Sequence, residues 1–210
     1  MIIHKENIIF IHIPKNGGTY IERLFFNDLD IHSNKNYKNL FGIKNNKALQ
    51  HLTAFEIKNL FHDFDNYLKF VIIRNPYDRL ISEYYWCQIS GVGYKHNQSF
   101  DNFLKYVKNI VKNNRFNENV YTDHFLPQYK FIYDDNNNLL IDHIFYYENY
   151  EDVINFLNNI CNISNTKNFS DVKHCNCKKT LVKKINLNES QKSIIFNLYK
   201  KDFEFFNYKK

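Results

Sequence analysis

The stretch IIFIHIPKNGGTYIERLF, Ile8–Phe25, decides how the chain is read. Ile8–Ile13 is nearly all apolar, which suits a central parallel strand covered on both faces. Pro14 ends the run, and Lys15, Asn16, Gly17, Gly18 and Thr19 follow. Tyr20, Ile21, Leu24 and Phe25 then recur at helical spacing, which predicts a helix from about Gly17 to Asn27. Glycines let a backbone close on a ligand, and a helix N-terminus points its N–H groups at an anion. Lys15 adds a positive charge at the same place. The stretch therefore predicts a cradle for a phosphate- or sulfate-bearing group.

Outward from this stretch, strands and helices alternate. His32–Lys47 is polar and reads as a loop or insertion. Thr53 with Glu56 forms a capping-box pattern ahead of Ala54, Ile57, Leu60 and Phe61, so Glu56 is assigned to the cap, with His51 in the loop before it. Lys69–Ile73 reads as a second buried strand. Asn75 and Pro76 start a helix at once, as N-cap and first helical residue. Ser99 caps another helix, Asp134–Asn138 is a turn, and His143–Tyr147 reads as a strand. Val153, Ile154, Leu157 and Ile160 mark a helix after it. Asn188 with Gln191 begins the last one. The pattern predicts an α/β chain, a P-loop-like three-layer fold with a central parallel sheet flanked by helices, in one domain over residues 1–210.

Composition bounds the function. Hydrophobic residues make up 44% and aromatics 18%, enough for a sizeable core. The net charge of +6 fits an anionic ligand. Lys and Arg are scattered, without the like-charge blocks of a nucleic-acid-binding surface, so no nucleic-acid partner is expected. No apolar run approaches the ~20 residues that span a bilayer, and Ile8–Ile13 is too short for a signal h-region, with no small-residue cleavage site after it. The expectation is a soluble, cytoplasmic protein. Four cysteines, Cys87, Cys161, Cys175 and Cys177, are too few for a disulfide scaffold. His174-Cys175-Asn176-Cys177 lacks a second ligand pair of usual spacing, so no metal is expected. The four Asn-x-Ser sequons, Asn97 and Asn168 among them, are read as chance in an Asn-rich chain.

The first loop departs from a Walker motif, which needs Gly-Lys before its Ser or Thr. Here Lys15 precedes the glycines. A second element, Phe70-Val71-Ile72-Ile73-Arg74-Asn75-Pro76-Tyr77-Asp78-Arg79-Leu80-Ile81-Ser82, puts Arg74 at a strand end and Ser82 two helical turns on. A guanidinium fork plus a hydroxyl suits a terminal phosphate.

Together the two elements resemble the sulfotransferase superfamily, in the branch holding carbohydrate enzymes such as heparan sulfate 2-O-sulfotransferase. Gln50-His51-Leu52-Thr53-Ala54, His124-Phe125-Leu126-Pro127-Gln128, Phe145-Tyr146-Tyr147-Glu148-Asn149 and Leu198-Tyr199-Lys200-Lys201-Asp202-Phe203 look similar too. The resemblance implies the donor 3′-phosphoadenosine-5′-phosphosulfate (PAPS). It places the 5′-phosphosulfate on Lys15, Asn16, Gly17, Gly18, Thr19 and Tyr20, and the 3′-phosphate on Arg74 and Ser82. It further implies Lys178 and Lys179 in a loop touching the nucleotide, His51 as the base for an acceptor hydroxyl, and Lys15 as stabiliser of the leaving phosphate. His124 is a candidate for the acceptor side. The Tyr84-Tyr85-Trp86 cluster is expected in the core. The branch favours a carbohydrate acceptor; its animal members are commonly Golgi-anchored, a location not carried over here. Two other readings remain: a P-loop-like nucleotide kinase or phosphotransferase, and a non-catalytic polyanion-binding module.

Overall fold

The computed structural model describes residues 1–26, 37–91, 93–94, 98–161 and 185–210. Its strands are β1 (Ile2–Ile3), β2 (Ile8–Ile11), β3 (Ile43–Lys44), β4 (Lys47–Ala48), β5 (Leu68–Ile73) and β6 (His143–Tyr146). Its helices are α1 (Gly18–Phe25), α2 (Ala54–Leu60), α3 (Pro76–Ser90), α4 (Phe100–Lys112), α5 (Tyr150–Cys161), α6 (Glu189–Leu198) and α7 (Lys200–Phe205).

The central sheet has the order β1-β2-β5-β6. β2, β5 and β6 run parallel, with Ile8 opposite Leu68 and Ile73 opposite Tyr146. β1 is antiparallel to β2, with Ile2 opposite Ile9, and gives the sheet an edge that its two residues do not announce by any period. Successive residues of a strand face opposite ways. Ile9, Ile11, Val71 and Ile73 therefore pack with Leu52, Ala54, Ile57 and Phe131 on one face. Phe10, Phe70 and Ile72 pack on the other with Ile21 of α1 and Val153 and Leu157 of α5. The sheet is covered on both sides, as the unbroken apolar strands require. A third cluster joins α3, α4, α6 and α7 through Leu80, Phe103, Val107, Ile195, Tyr199 and Phe203.

The caps follow the sequence closely. Thr53 and Glu56 form the reciprocal box at α2, and Asn188 and Gln191 do so at α6. Asn75 accepts from Tyr77 N–H, and Ser99 from Asn102 N–H. Four expectations change. β2 ends at Ile11, the last residue that pairs with β5, opposite Val71. α1 ends at Phe25, not Asn27. The stretch read as loop holds the β3–β4 hairpin, reversed by Asn45 and Asn46, both in left-handed backbone. The last helix breaks at Tyr199 into α6 and α7. The expected loop at 32–36 and the run His174–Cys177 lie outside the described residues, as do the sequons at Asn97 and Asn168.

Long-range clamps bring the chain to the end of the sheet. The buried Arg79 guanidinium of α3 donates to the carbonyls of Pro14 at 3.2 Å, Leu126 at 2.9 Å and His124 at 2.8 Å. The buried Asp202 carboxylate of α7 accepts from Gln128 N–H at 2.8 Å and Tyr129 N–H at 2.9 Å. The loop after β2 and the segment 122–131 are thus both fixed to α3, and the segment to α7 as well.

Candidate active site

The loop after β2 is held in a backbone few side chains adopt. Lys15 has φ +71° and Gly17 φ +85°. A Cβ on Gly17 would fall 2.7 Å from the Tyr150 ring, whose hydroxyl donates to the Gly17 carbonyl at 2.9 Å. A Cβ on Gly18 would fall 2.2 Å from the His12 ring. Both positions need glycine, one for conformation and close contact, the other for contact alone. No side chain caps α1; of its opening amides, Tyr20 N–H bonds back to the Gly17 carbonyl.

Asn16 is buried and fixes the loop from below. Its Nδ2 donates to the Ile72 carbonyl at 2.8 Å and to Gln128 Oε1 at 2.7 Å. Gln128 also accepts from Arg74 N–H at 2.9 Å and donates to the Arg74 carbonyl at 2.8 Å. The Arg74 side chain crosses to the same loop. Its Nη1 donates to the Lys15 carbonyl at 2.9 Å, and its guanidinium lies 4.1 Å from the centre of the Tyr147 ring. Arg74 Nε and Asn16 Oδ1 are buried without a hydrogen-bond partner, the kind of polar atom a ligand satisfies. The structure therefore brings Arg74 to the loop that carries Lys15, Gly17, Gly18 and Thr19; Ser82 is half-buried on α3. Asn16 serves the loop's shape. The Tyr20 ring is buried edge-on to Tyr150, and its N–H donates to the Gly17 carbonyl. Lys178 and Lys179 lie outside the described residues.

His51 sits ahead of α2, where the capping box fixes the chain. Its Nδ1 lies 2.9 Å from Asp123 Oδ2, an ion-pair arrangement that leaves Nε2 for chemistry. Two further histidines flank it. His12 meets its ring edge-on at 5.0 Å, and His124 at 5.1 Å. Each has its own carboxylate: His12 Nδ1 lies 2.7 Å from Glu22, and His124 Nδ1 lies 2.9 Å from Glu83. Burial pushes all three carboxyls up, but their histidine partners outweigh it and hold them below their ordinary values. Lys15 adds to this pull on Glu83. The carboxylates are thus ionised at neutral pH.

His51, Asp123 and His124 each bring a ligand-type atom to within 4.8 Å of the others, the one such set among the described residues. His51 Nδ1 and His124 Nδ1 are each committed to a carboxylate. We therefore read the set as hydrogen-bonded pairs.

Trp86 divides from its neighbours. Tyr84 packs edge-on to Phe100 in the helical cluster, as expected. The Tyr85 hydroxyl accepts from Ile185 N–H. The Trp86 ring, half-buried, faces His124 at 5.1 Å, and Lys15 Nζ lies 5.2 Å from its centre. It links the lysine of the loop to the histidines. His12, Glu22, Glu83 and Asp123 are the residues that sequence reading missed. The i,i+4 spacing of Arg79, Glu83 and Cys87 along α3 was a signal that charge lay on its inner face.

The family model described as the sulfotransferase family matches residues 1–209. Carbohydrate sulfotransferase 11 of Danio rerio is 30% identical over 84 residues, which cover 38% of this chain and 23% of that relative. The match thus spans under a quarter of the relative's length. No solved structure matches at comparable significance. No helix among the described residues is long and apolar enough to cross a membrane.

Proposed function

As this chain belongs to the sulfotransferase family, we propose that it moves a sulfuryl group from PAPS to a hydroxyl of a carbohydrate, with His51 as the base. The observation that carries the reading is the juxtaposition of two parts. One is an uncapped, glycine-lined helix start tied to Arg74 through the Lys15 carbonyl. The other is a histidine oriented by a buried carboxylate through Nδ1.

The acceptor oxygen attacks sulfur in line, the bond from sulfur to the bridging oxygen breaks, and adenosine 3′,5′-bisphosphate leaves. The acceptor proton passes to His51 Nε2, while Asp123 holds the ring and balances the imidazolium. Lys15 and the Gly17–Thr19 amides stabilise the charge that develops on the departing phosphate. Arg74 and Ser82 hold the 3′-phosphate and so set the donor's register. His124 and Trp86 line the acceptor side, and Lys178 and Lys179 are taken from the family resemblance as further nucleotide contacts. The reaction uses no metal.

Calorimetric titration tests the nucleotide part. Adenosine 3′,5′-bisphosphate should bind at least ~10-fold more tightly than 5′-AMP, a preference worth the ~1.5–3 kcal/mol of a charge-assisted hydrogen bond. Arg74→Ala should abolish the difference. Equal binding of the two nucleotides by the wild-type protein would remove the donor assignment.

A further inference from the structure

We propose that His12, through its bond to Glu22, positions the anion cradle and the base His51 together; this rests on the reading of His51 as the base. His12 follows β2 directly and is 6% exposed. Its ring stacks on Phe10 with centres 5.6 Å apart and planes 22° apart. On one side it fills the space that a Cβ on Gly18 would need, so it forms the floor under the first residue of α1. On another side it meets the His51 ring at an interplanar angle of 87°. Glu22 fixes its orientation from the second turn of α1. One buried pair therefore touches the element that receives the anion and the ring that takes the proton.

The pair also has an electrostatic consequence. Glu22 is held ionised by His12 first and by His51 beyond it, with the Met1 amino group adding to the pull. The Glu22 carboxylate thus lies within electrostatic reach of His51. The titratable groups facing His51 are Asp123 and His124 from the 122–125 segment, His12 after β2, and Glu22 of α1 behind it. Asp123 is the near counter-charge and Glu22 the remote one. Neither His12 nor Glu22 exchanges a proton with the acceptor in this scheme; both act through His51 and the cradle.

Two variants separate the roles. Glu22→Gln keeps the shape and an acceptor for His12 but removes the charge. The acid limb of its kcat/KM profile should move to lower pH than that of wild type, as loss of a nearby negative charge requires. Its affinity for adenosine 3′,5′-bisphosphate should stay within about twofold of wild type. His12→Asn keeps a donor for Glu22 but removes the part of the ring beneath Gly18. It should bind that nucleotide about 10-fold more weakly, a loss of ~1.4 kcal/mol. Circular dichroism and thermal melting establish that each variant folds; if Glu22→Gln does not, the affinity of His12→Asn decides alone. An unmoved acid limb in folded Glu22→Gln, or wild-type nucleotide affinity in His12→Asn, overturns the proposal. His51→Ala with full transfer activity overturns instead the reading of His51 as base.

Discussion

Two junctions of the same kind, a buried strand passing into a helix, behave in opposite ways. After β5, Asn75 caps α3 with its own side chain and Pro76 occupies the first helical position. The helix start is closed, and what the junction delivers is side chains: Arg74 at the strand end, then Arg79, Glu83 and Trp86 along α3. After β2, Gly17 stands at the N-cap of α1 with no side-chain bond, and Lys15 before it is in left-handed backbone. That start is open, and what it offers is backbone amides. Strain and a missing cap cost stability, and they persist where the surrounding structure enforces them. Here Asn16, Arg74, Arg79 and Tyr150 do so by bonding to the loop or to the strand beside it. The open junction presents backbone amides and the closed one presents side chains.

This contrast can be broken at either end, and the expected effects fall in order. Lys15→Ala should lower transfer by about 10²–10³-fold, the loss typical of one group aimed at developing charge; single-turnover rates with saturating donor measure it. Gly18→Ala forces a methyl group into the His12 ring. It should destabilise by ~1–3 kcal/mol and weaken nucleotide binding as well, read by urea denaturation and titration calorimetry. Asn75→Ala should cost only the ~1 kcal/mol of a lost cap and leave nucleotide affinity unchanged. If it instead weakens binding as much as Gly18→Ala, the two junctions do not divide their work in this way.

A separate effect is expected in pH dependence. Glu22, Glu83 and Asp123 have folded-state values below their ordinary ones. Their contribution to stability is therefore present above the ordinary carboxylate range near ~4 and lost as pH falls through the lower folded values. Urea midpoints should drop steeply on the acid side of that range. Glu83→Gln should flatten the drop, with a neutral-pH loss of ~1–3 kcal/mol. An unchanged slope would mean that Glu83 is not held ionised by His124.

Much of this was legible before the structure. The unbroken apolar runs marked β2 and β5, and Thr53, Asn75, Ser99 and Asn188 marked helix starts, because capping is local chemistry between neighbours. The glycine loop and Arg74 were legible for the same reason. The β1 edge and the β3–β4 hairpin were not, since two-residue strands carry no period. The carboxylate partners were hidden by distance along the chain: Asp123 stands 72 residues from His51, and Glu83 stands 41 from His124. His12 was hidden by its setting, a single polar residue inside an apolar run, where alternation alone does not say what it faces. Tyr20 shows the converse. A residue adjoining the cradle in sequence points into the core, because α1 needs it to pack on Tyr150.

The central claim is that His51, held by Asp123, takes the acceptor's proton beside a cradle that holds the donor. The most direct measurement is transfer of labelled sulfate from PAPS to a panel of carbohydrate acceptors by wild-type protein and His51→Ala, at matched occupancy by the donor. The account predicts labelled carbohydrate with the wild-type protein and a rate ~10²–10⁴-fold lower with His51→Ala, with adenosine 3′,5′-bisphosphate bound equally by both. Transfer at the wild-type rate by His51→Ala would contradict it.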